Sequence, residues 1–515
     1  MRSQSHEQNN TSTALRPSLV WRGAGIRGAV MLIGKVAVLG TTLIATRLLP
    51  RVDAGELFVG LAAGALLGSM MAIGLPEAIS RSIGSRSKPH SADIGSFIAG
   101  AFTLWLVVSV IIIAGASALA VVLGIAVFDS LPVVTCILGA LVALESILAT
   151  FMRVDNRPLI AELCVSLGSI VFAGALLAIA LAIPVSGVGA LWTRCGIDAL
   201  IGLTVAYITI QPQWHLRHTW SIRENTPKII KSALPLWLTS FSWFVLQNIG
   251  IVFLAIFSGP AAVALYQPLL KIADTAGGIA SMFGPYLLPV AARLRATGSI
   301  SQVNKLYIQA SRVAFALSVP VLALLAFDSN IIATRLFGIS AQDTELVAIL
   351  LACAYLLNAT VGFNGVILEA LAFLRTLASR SLVVVLTALI ANAILIAYLG
   401  VQGAAYGTLI GYFAINALNS VLLYRATQIT PFQVPLLSPL FVTLLGAFTA
   451  IVLSLLTYIP LTLAGPLLSS IFPLAFVLIP IARRSVTDRR NRPDTPVRTS
   501  QSDNLYGADS SAARP

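Results

Sequence analysis

The chain has 515 residues, a formal net charge of +13, 57% hydrophobic residues and only 10% charged ones, where an ordinary soluble domain carries about 25%. No water-soluble core accommodates that much apolar side chain, so the composition excludes a soluble globular protein. The surplus of Lys and Arg does not point to nucleic acid either, because the cations sit in short segments between apolar runs rather than along one face.

In chain order, a polar N-terminal tail (1–27) comes first, and no cleavable signal peptide is expected because the first apolar run is long and leads directly into a second. Apolar runs able to cross a hydrocarbon core about 30 Å thick, at about 1.5 Å per helical residue, then recur almost to the end. The sequence predicts an all-α polytopic membrane protein with fourteen transmembrane helices, at 28–49, 55–75, 95–123, 131–152, 159–183, 187–210, 233–257, 261–289, 306–327, 345–373, 381–399, 403–424, 436–458 and 461–482. The segment 211–232, with Trp214 and Trp220, is the longest internal polar stretch, divides the chain after the sixth span and fits the headgroup region. The tail 483–515 is rich in Arg, Pro, Ser and Asp without an apolar pattern, and reads as disordered.

Loops after even-numbered spans hold most of the internal cations, among them Arg81, Arg153, Lys228, Arg293, Arg380 and Arg425. The opposite loops hold only Arg47, Arg51 and Arg335. By the positive-inside rule both termini and the cation-rich loops are expected in the cytoplasm. An internal repeat runs at an offset near 213 residues: Gly74-Leu-Pro76 to Arg81 resembles Leu288-Pro289 to Arg293, and Gly187-Val-Gly189-Ala190 resembles Gly400-Val-Gln-Gly403-Ala404. Six spans separate the copies, an even number, so the expected halves, 28–210 and 233–425, share one membrane orientation, with the last two spans (426–482) outside the repeat.

No GxxxxGK[ST] loop is present to cradle nucleotide phosphates. Gly23, Gly25 and Gly28 spell GxGxxG, but no strand precedes them and they open a span, so they do not make a dinucleotide site. No cofactor or metal is expected. Cys136, Cys164, Cys195 and Cys353 lie inside apolar runs without metal-ligand spacing and read as small buried hydrophobes. Gly60, Gly64 and Gly68, and again Gly403, Gly407 and Gly411, have the spacing that brings helix backbones together.

Charges within the spans are more telling, because each costs about 2.5–3.5 kcal/mol at the bilayer centre and so should face a partner or a wet cavity. Lys35 lies about 10 Å into the first span, with no acidic neighbour at helical spacing, and is the leading candidate to meet an anion. Lys271 and Asp274, one turn apart, fall near the middle of the eighth span. Arg194 and Asp198, spaced i,i+4 in the sixth, either neutralise each other or face a ligand. Glu145 and Glu369 lie toward the cytoplasmic ends of the fourth and tenth.

The stretch Ala45-Thr-Arg47-Leu-Leu-Pro50-Arg-Val-Asp-Ala-Gly55-Glu-Leu-Phe58, then Gly74-Leu-Pro76, resembles the first hairpin of bacterial Wzx-type polysaccharide flippases. Further matches are Tyr266 to Leu270, Phe283-Gly-Pro-Tyr-Leu-Leu-Pro289, Leu336-Phe-Gly338 and Gly400-Val-Gln-Gly403, so the resemblance covers roughly 25–425. The chain departs from the family pattern at Leu49-Pro50, where Gly usually precedes Pro. The resemblance implies two pseudo-symmetric six-helix lobes around a central cavity lined mainly by spans 1, 2, 7 and 8, in the bacterial inner membrane. It implies a non-enzymatic carrier that moves a polyprenyl-diphosphate-linked oligosaccharide across the membrane lipids, with polysaccharide polymerase and chain-length proteins as partners and no role for nucleic acid. Cavity candidates are then Lys35, Lys271, Asp274, Arg194, Asp198, Arg47, Gln247, Asn248 and Gln267, and the coupling candidates are Glu145 and Asp274. A cation-coupled multidrug exporter and a lipid II flippase of the same superfamily are the alternatives, and the short outer loops argue against a glycosyltransferase or polymerase.

Overall fold

The computed structural model describes residues 17–84, 91–122, 130–154, 157–210, 222–339, 344–371, 373–429, 434–456 and three short pieces between 466 and 475. Every regular element among the described residues is helical: α1 (Pro17–Leu48), α2 (Arg51–Ala72), α3 (Leu75–Gly84), α4 (Ser91–Val122), α5 (Leu131–Val154), α6 (Pro158–Ala182), α7 (Gly187–Ile210), α8 (Ile222–Ser258), α9 (Pro260–Ser281), α10 (Gly284–Ala296), α11 (Ile300–Phe327), the single turn α12 (Ser329–Ile331) running into a π-helical turn (Ile332–Leu336), α13 (Thr344–Val361), α14 (Asn364–Ala370), α15 (Leu374–Thr427) and α16 (Val434–Leu456). Ten helical segments among the described residues are long and apolar enough to cross a membrane, so the chain is a multi-pass membrane protein.

The segment from Thr376 to Thr427 holds two bilayer lengths in 52 residues. Gly400, at φ 56° and ψ −125°, turns the chain between its arms. Gly403 then lies against Leu395 and Gly407 against Asn392, so the arms run back along each other. The expected eighth span, 261–289, is interrupted: α9 stops at Ser281 and α10 starts at Gly284-Pro285. Helix α9 is not among the ten because Tyr266, Gln267, Pro268, Lys271 and Asp274 dilute its hydropathy, yet it packs between α1, α2, α11 and α13. The expected tenth span likewise divides, at Gly362, into α13 and α14. The expected fourteenth span and the C-terminal tail fall largely or wholly outside the described residues, as do the first sixteen residues and 211–221.

Helix packing repeats along the chain. In the first lobe, α1 packs on α6, α2 on α5, α4 on α5 and α5 on α7; in the second, α8 packs on α15, α9 on α13, α11 on α13 and α13 on α15. Both α2 and α9 break before a short helix at the same end. At the first break, Ile73 and Gly74 take φ values of 45° and 66°, which end α2 in a left-handed cap before Pro76 opens the next helix. Gly60, Gly64 and Gly68 bring α2 against Leu191, Leu138 and Val142, as their spacing suggests. Between the lobes, α1 meets α9, and α2 meets both α8 and α9. This crossing places the charged residues of α1 and α9 face to face.

Candidate functional site

A cavity of about 210 Å³ lies where the lobes meet. Its walls come from α1 (Thr41, Thr42), α2 (Phe58, Ala62), α6 (Ser169, Phe172), α7 (Arg194), α8 (Asn248) and α9 (Gln267, Lys271), with apolar cover from α5. Gln267 is 3% exposed and its Oε1 has no hydrogen-bond partner, so the wall presents an unmet acceptor. Asn248 gives one amide hydrogen to the Phe244 carbonyl, 3.0 Å away on its own helix.

Beside the cavity, Lys35 Nζ lies 2.8 Å from Asp274 Oδ2, and Lys271 Nζ lies 3.9 Å from the same oxygen. Lys35 comes from the first lobe and both others from the second. Two ammonium groups therefore share one carboxylate, and the cluster keeps one surplus positive charge. Gly278 makes room for the arrangement: a Cβ there would sit 3.0 Å from the Lys35 side chain. A second pair, Arg194 Nε to Asp198 Oδ2 at 2.8 Å, lies within the first lobe, and the guanidinium covers the Phe172 ring at 5.4 Å.

Several sequence expectations need correction. Lys35 has no acidic neighbour on its own helix, as its spacing indicates, but α9 brings it one in Asp274. Arg47 does not line the cavity: it is exposed at the end of α1 and donates from Nε to the Leu336 carbonyl at 2.8 Å and from Nη2 to the Arg335 carbonyl. Gln247 lies beside Tyr412 rather than on the cavity wall. Cys136 and Cys195 are buried, but Cys164 is half-buried and Cys353 is exposed. Glu369 is on the exposed face of α14, whereas Glu145 keeps its Oε1 buried inside the first lobe.

The lobes touch at both ends of the cavity. At the Arg47 end, the guanidinium ties α1 to the π-helical turn, and α2 lies so close to α9 that a Cβ on Gly55 would overlap the Pro260 carbonyl. At the opposite end, Trp237 donates to the Ser69 carbonyl at 3.0 Å, and the Ser240 hydroxyl donates to the Glu77 carboxylate. Sequence reasoning missed these seals, because none of their partners is near in the chain. It also missed Thr41 and Thr42, adjacent hydroxyls in an apolar span that were the available signal.

The polysaccharide biosynthesis protein family model matches residues 20–295, just over half of the chain and the part that carries α1 to α10. The chain belongs to the polysaccharide biosynthesis protein family. No curated protein sequence matches it significantly. Among solved structures, this family member is similar to the lipid II flippase MurJ in an inward closed conformation, at 14% identity and TM-score 0.63 over 89% of this chain and 99% of that one. It is similar to the MATE multidrug transporter DinF-BH, at 16% identity and TM-score 0.61 over 84% of this chain and all of that one. A multidrug resistance MATE family transporter of the MOP superfamily, inward-facing, gives 17% identity and TM-score 0.59 over 79% and 98% of the two chains. The polysaccharide biosynthesis protein thus has the fold of the MOP-superfamily transporters.

Proposed function

We propose that the chain is a flippase, and not an enzyme, that moves a lipid-diphosphate-linked oligosaccharide from the cytoplasmic to the outer leaflet of the bacterial inner membrane by alternating access, with both termini in the cytoplasm. The observation that carries this reading is the Lys35–Asp274–Lys271 cluster. It holds a surplus cation beside a cavity walled by hydroxyl and amide groups, at the meeting of two lobes.

The physics of the substrate fits that site. A diphosphate and its sugar hydroxyls cannot enter hydrocarbon without replacement partners. Lys35 and Lys271 supply charge-assisted donors for the phosphates, Arg194 a third cation, and Asn248 and Gln267 hydrogen bonds for sugar hydroxyls. The lipid tail stays in the bilayer while the head group passes between the lobes. Cavity volume adds a constraint: about 210 Å³ is below the roughly 300–1,000 Å³ of pockets that take drug-sized ligands, and an oligosaccharide head group needs at least as much room. The closed arrangement is therefore a state between loads, and the lobes must part to admit the head group. Membership of a polysaccharide biosynthesis family supports a sugar cargo, and we place the flippase beside a polymerase and chain-length proteins in the cell.

Buried carboxylates and the MATE-like fold favour a second reading, a cation-coupled exporter. Binding to nanodisc-embedded protein separates the two. The flippase reading expects saturable binding of a polyprenyl-diphosphate disaccharide, lost in Lys35→Ala, and no competition by lipophilic cations. Saturable binding of those cations alone would replace it with the exporter.

A further inference from the structure

Arg194 belongs to two places at once. Its guanidinium lies on the cavity wall, while its Nε is bonded to Asp198 Oδ2 at 2.8 Å. Behind it, Asp198 is 2% exposed, and its other oxygen, Oδ1, is buried without a hydrogen-bond partner. Helix α6 closes over that oxygen, since a Cβ on Gly168 would sit 3.4 Å from it. Glu145 on α5 has Asp198 and Arg194 as its charged neighbours, and its Oε1 is also buried and unpartnered. Asp198 is thus bonded to the guanidinium, while Glu145 stands within electrostatic reach of both without a bond from its buried oxygen. A buried charge left without a partner is strongly unfavourable.

Cys195 on α7 and Cys164 on α6 also face this cluster, Glu162 on α6 is paired with Arg153 on α5 at 3.1 Å, and Lys271 on α9 lines the cavity wall with Arg194. Helix α2 has charged residues only at Arg51, Asp53 and Glu56, in its first two turns, and α4 only at Asp93 near its start. Helix α3 brings Glu77, which is bonded to Ser240 across the lobe boundary. Arg194 is the cation beside the two acids, and it shares the cavity wall with Lys271, so an anion held by the lysines also reaches Arg194.

We propose that Glu145 and Asp198 form an exchangeable proton site, linked to the cavity through Arg194, so that an anion reaching Arg194 draws it from Asp198 and a proton takes its place. This rests on the reading that an anionic head group enters the cavity. The proton comes from water admitted with the head group and binds a carboxylate oxygen, giving one neutral carboxylic acid. It returns to water when the anion leaves and Arg194 re-forms its bond to Asp198. A proton suits the site better than a metal cation, because it needs one oxygen rather than a coordination shell, and the described residues contain no group of three or more metal-ligating side chains.

The test is the pH dependence of binding of a farnesyl-diphosphate disaccharide to the full chain in nanodiscs. Its phosphates carry no free monoester group and so lack the second ionisation near about pH 6. Linked uptake of one proton makes wild-type affinity rise as pH falls, by up to about tenfold per pH unit. In Glu145→Gln/Asp198→Asn that slope is expected to vanish while binding at low pH persists. Infrared difference spectra provide a check without any variant: adding the probe to wild-type protein should raise a protonated-carboxyl band. A flat wild-type slope, a slope kept in the double variant, or one that follows sodium instead of pH overturns the proposal and leaves the flippase reading standing. No binding at any pH overturns both.

Discussion

Lys35 on α1 and Asp274 on α9, 239 positions apart in the chain, form a 2.8 Å ion pair across the boundary between the lobes. Each charge alone would cost about 2.5–3.5 kcal/mol at the bilayer centre, so pairing favours lobes that are closed on each other. Lys271, 3.9 Å from the same carboxylate oxygen, leaves the cluster one positive charge in excess. An incoming diphosphate can therefore compete with Asp274 for both lysines. The pair then connects cargo arrival to lobe separation.

Removing the first-lobe member tests that connection. Lys35→Ala is expected to lower transport about tenfold or more, comparable to the loss of an interaction of about 1.4 kcal/mol, at unchanged abundance in the membrane. Export assays with immunoblots of the same cells check it. Normal export would show that Lys35 is merely tolerated there.

Lys35 and Asp274 should also behave as one unit in stability. Thermal unfolding of Lys35→Ala, Asp274→Ala and the double variant is expected to be non-additive, with an interaction in the range of about 0.5–3 kcal/mol that contacting residues show. Additive effects would mean that the pair does not form in the membrane.

Arg47 holds the closure at its end of the cavity through two backbone carbonyls next to Gly338, whose φ is 69°. Arg47→Ala is expected to lengthen the distances between spin labels at Val52 and Leu336, both exposed. Pulsed dipolar spectroscopy in a Cys353→Ser background measures this. An unchanged distance distribution would place the seal elsewhere, for instance at Gly55 and Pro260.

Gly55 has no room for a side chain because the Pro260 carbonyl occupies it, while Gly115 has nothing within 4 Å. Gly55→Leu is expected to destabilise the protein by about 1–3 kcal/mol, the usual cost of overpacking, and to slow transport. Gly115→Ala should leave transport unchanged and gain about 0.5–1 kcal/mol, since it relieves a glycine inside a helix. Differential scanning fluorimetry in detergent compares the two.

Much of the fold was legible because a transmembrane helix announces itself locally, through a run of apolar residues long enough to cross hydrocarbon. The repeat was legible through short motifs, and the Gly187–Gly400 match falls on the turn between the arms of α15. The breaks at Met282–Phe283 and Gly362 were hidden, since hydropathy continues through them while the backbone turns. The Arg194–Asp198 and Lys271–Asp274 pairs could be read from i,i+4 and i,i+3 spacing. Lys35 seemed unpartnered because its partner arrives through the packing of α1 on α9, which no local spacing encodes. Arg47 was misplaced for the same reason: a cation near a helix end and one in a cavity look alike until the opposing backbone is in position.

The measurement that bears most directly on the central claim is head-group accessibility in proteoliposomes. A labelled polyprenyl-diphosphate oligosaccharide is placed in one leaflet, and its appearance in the other is followed for wild type and Lys35→Ala. The account predicts protein-dependent crossing that falls about tenfold or more in the variant. Crossing no faster than in protein-free liposomes, beside gradient-driven movement of lipophilic cations by the same preparation, would contradict it.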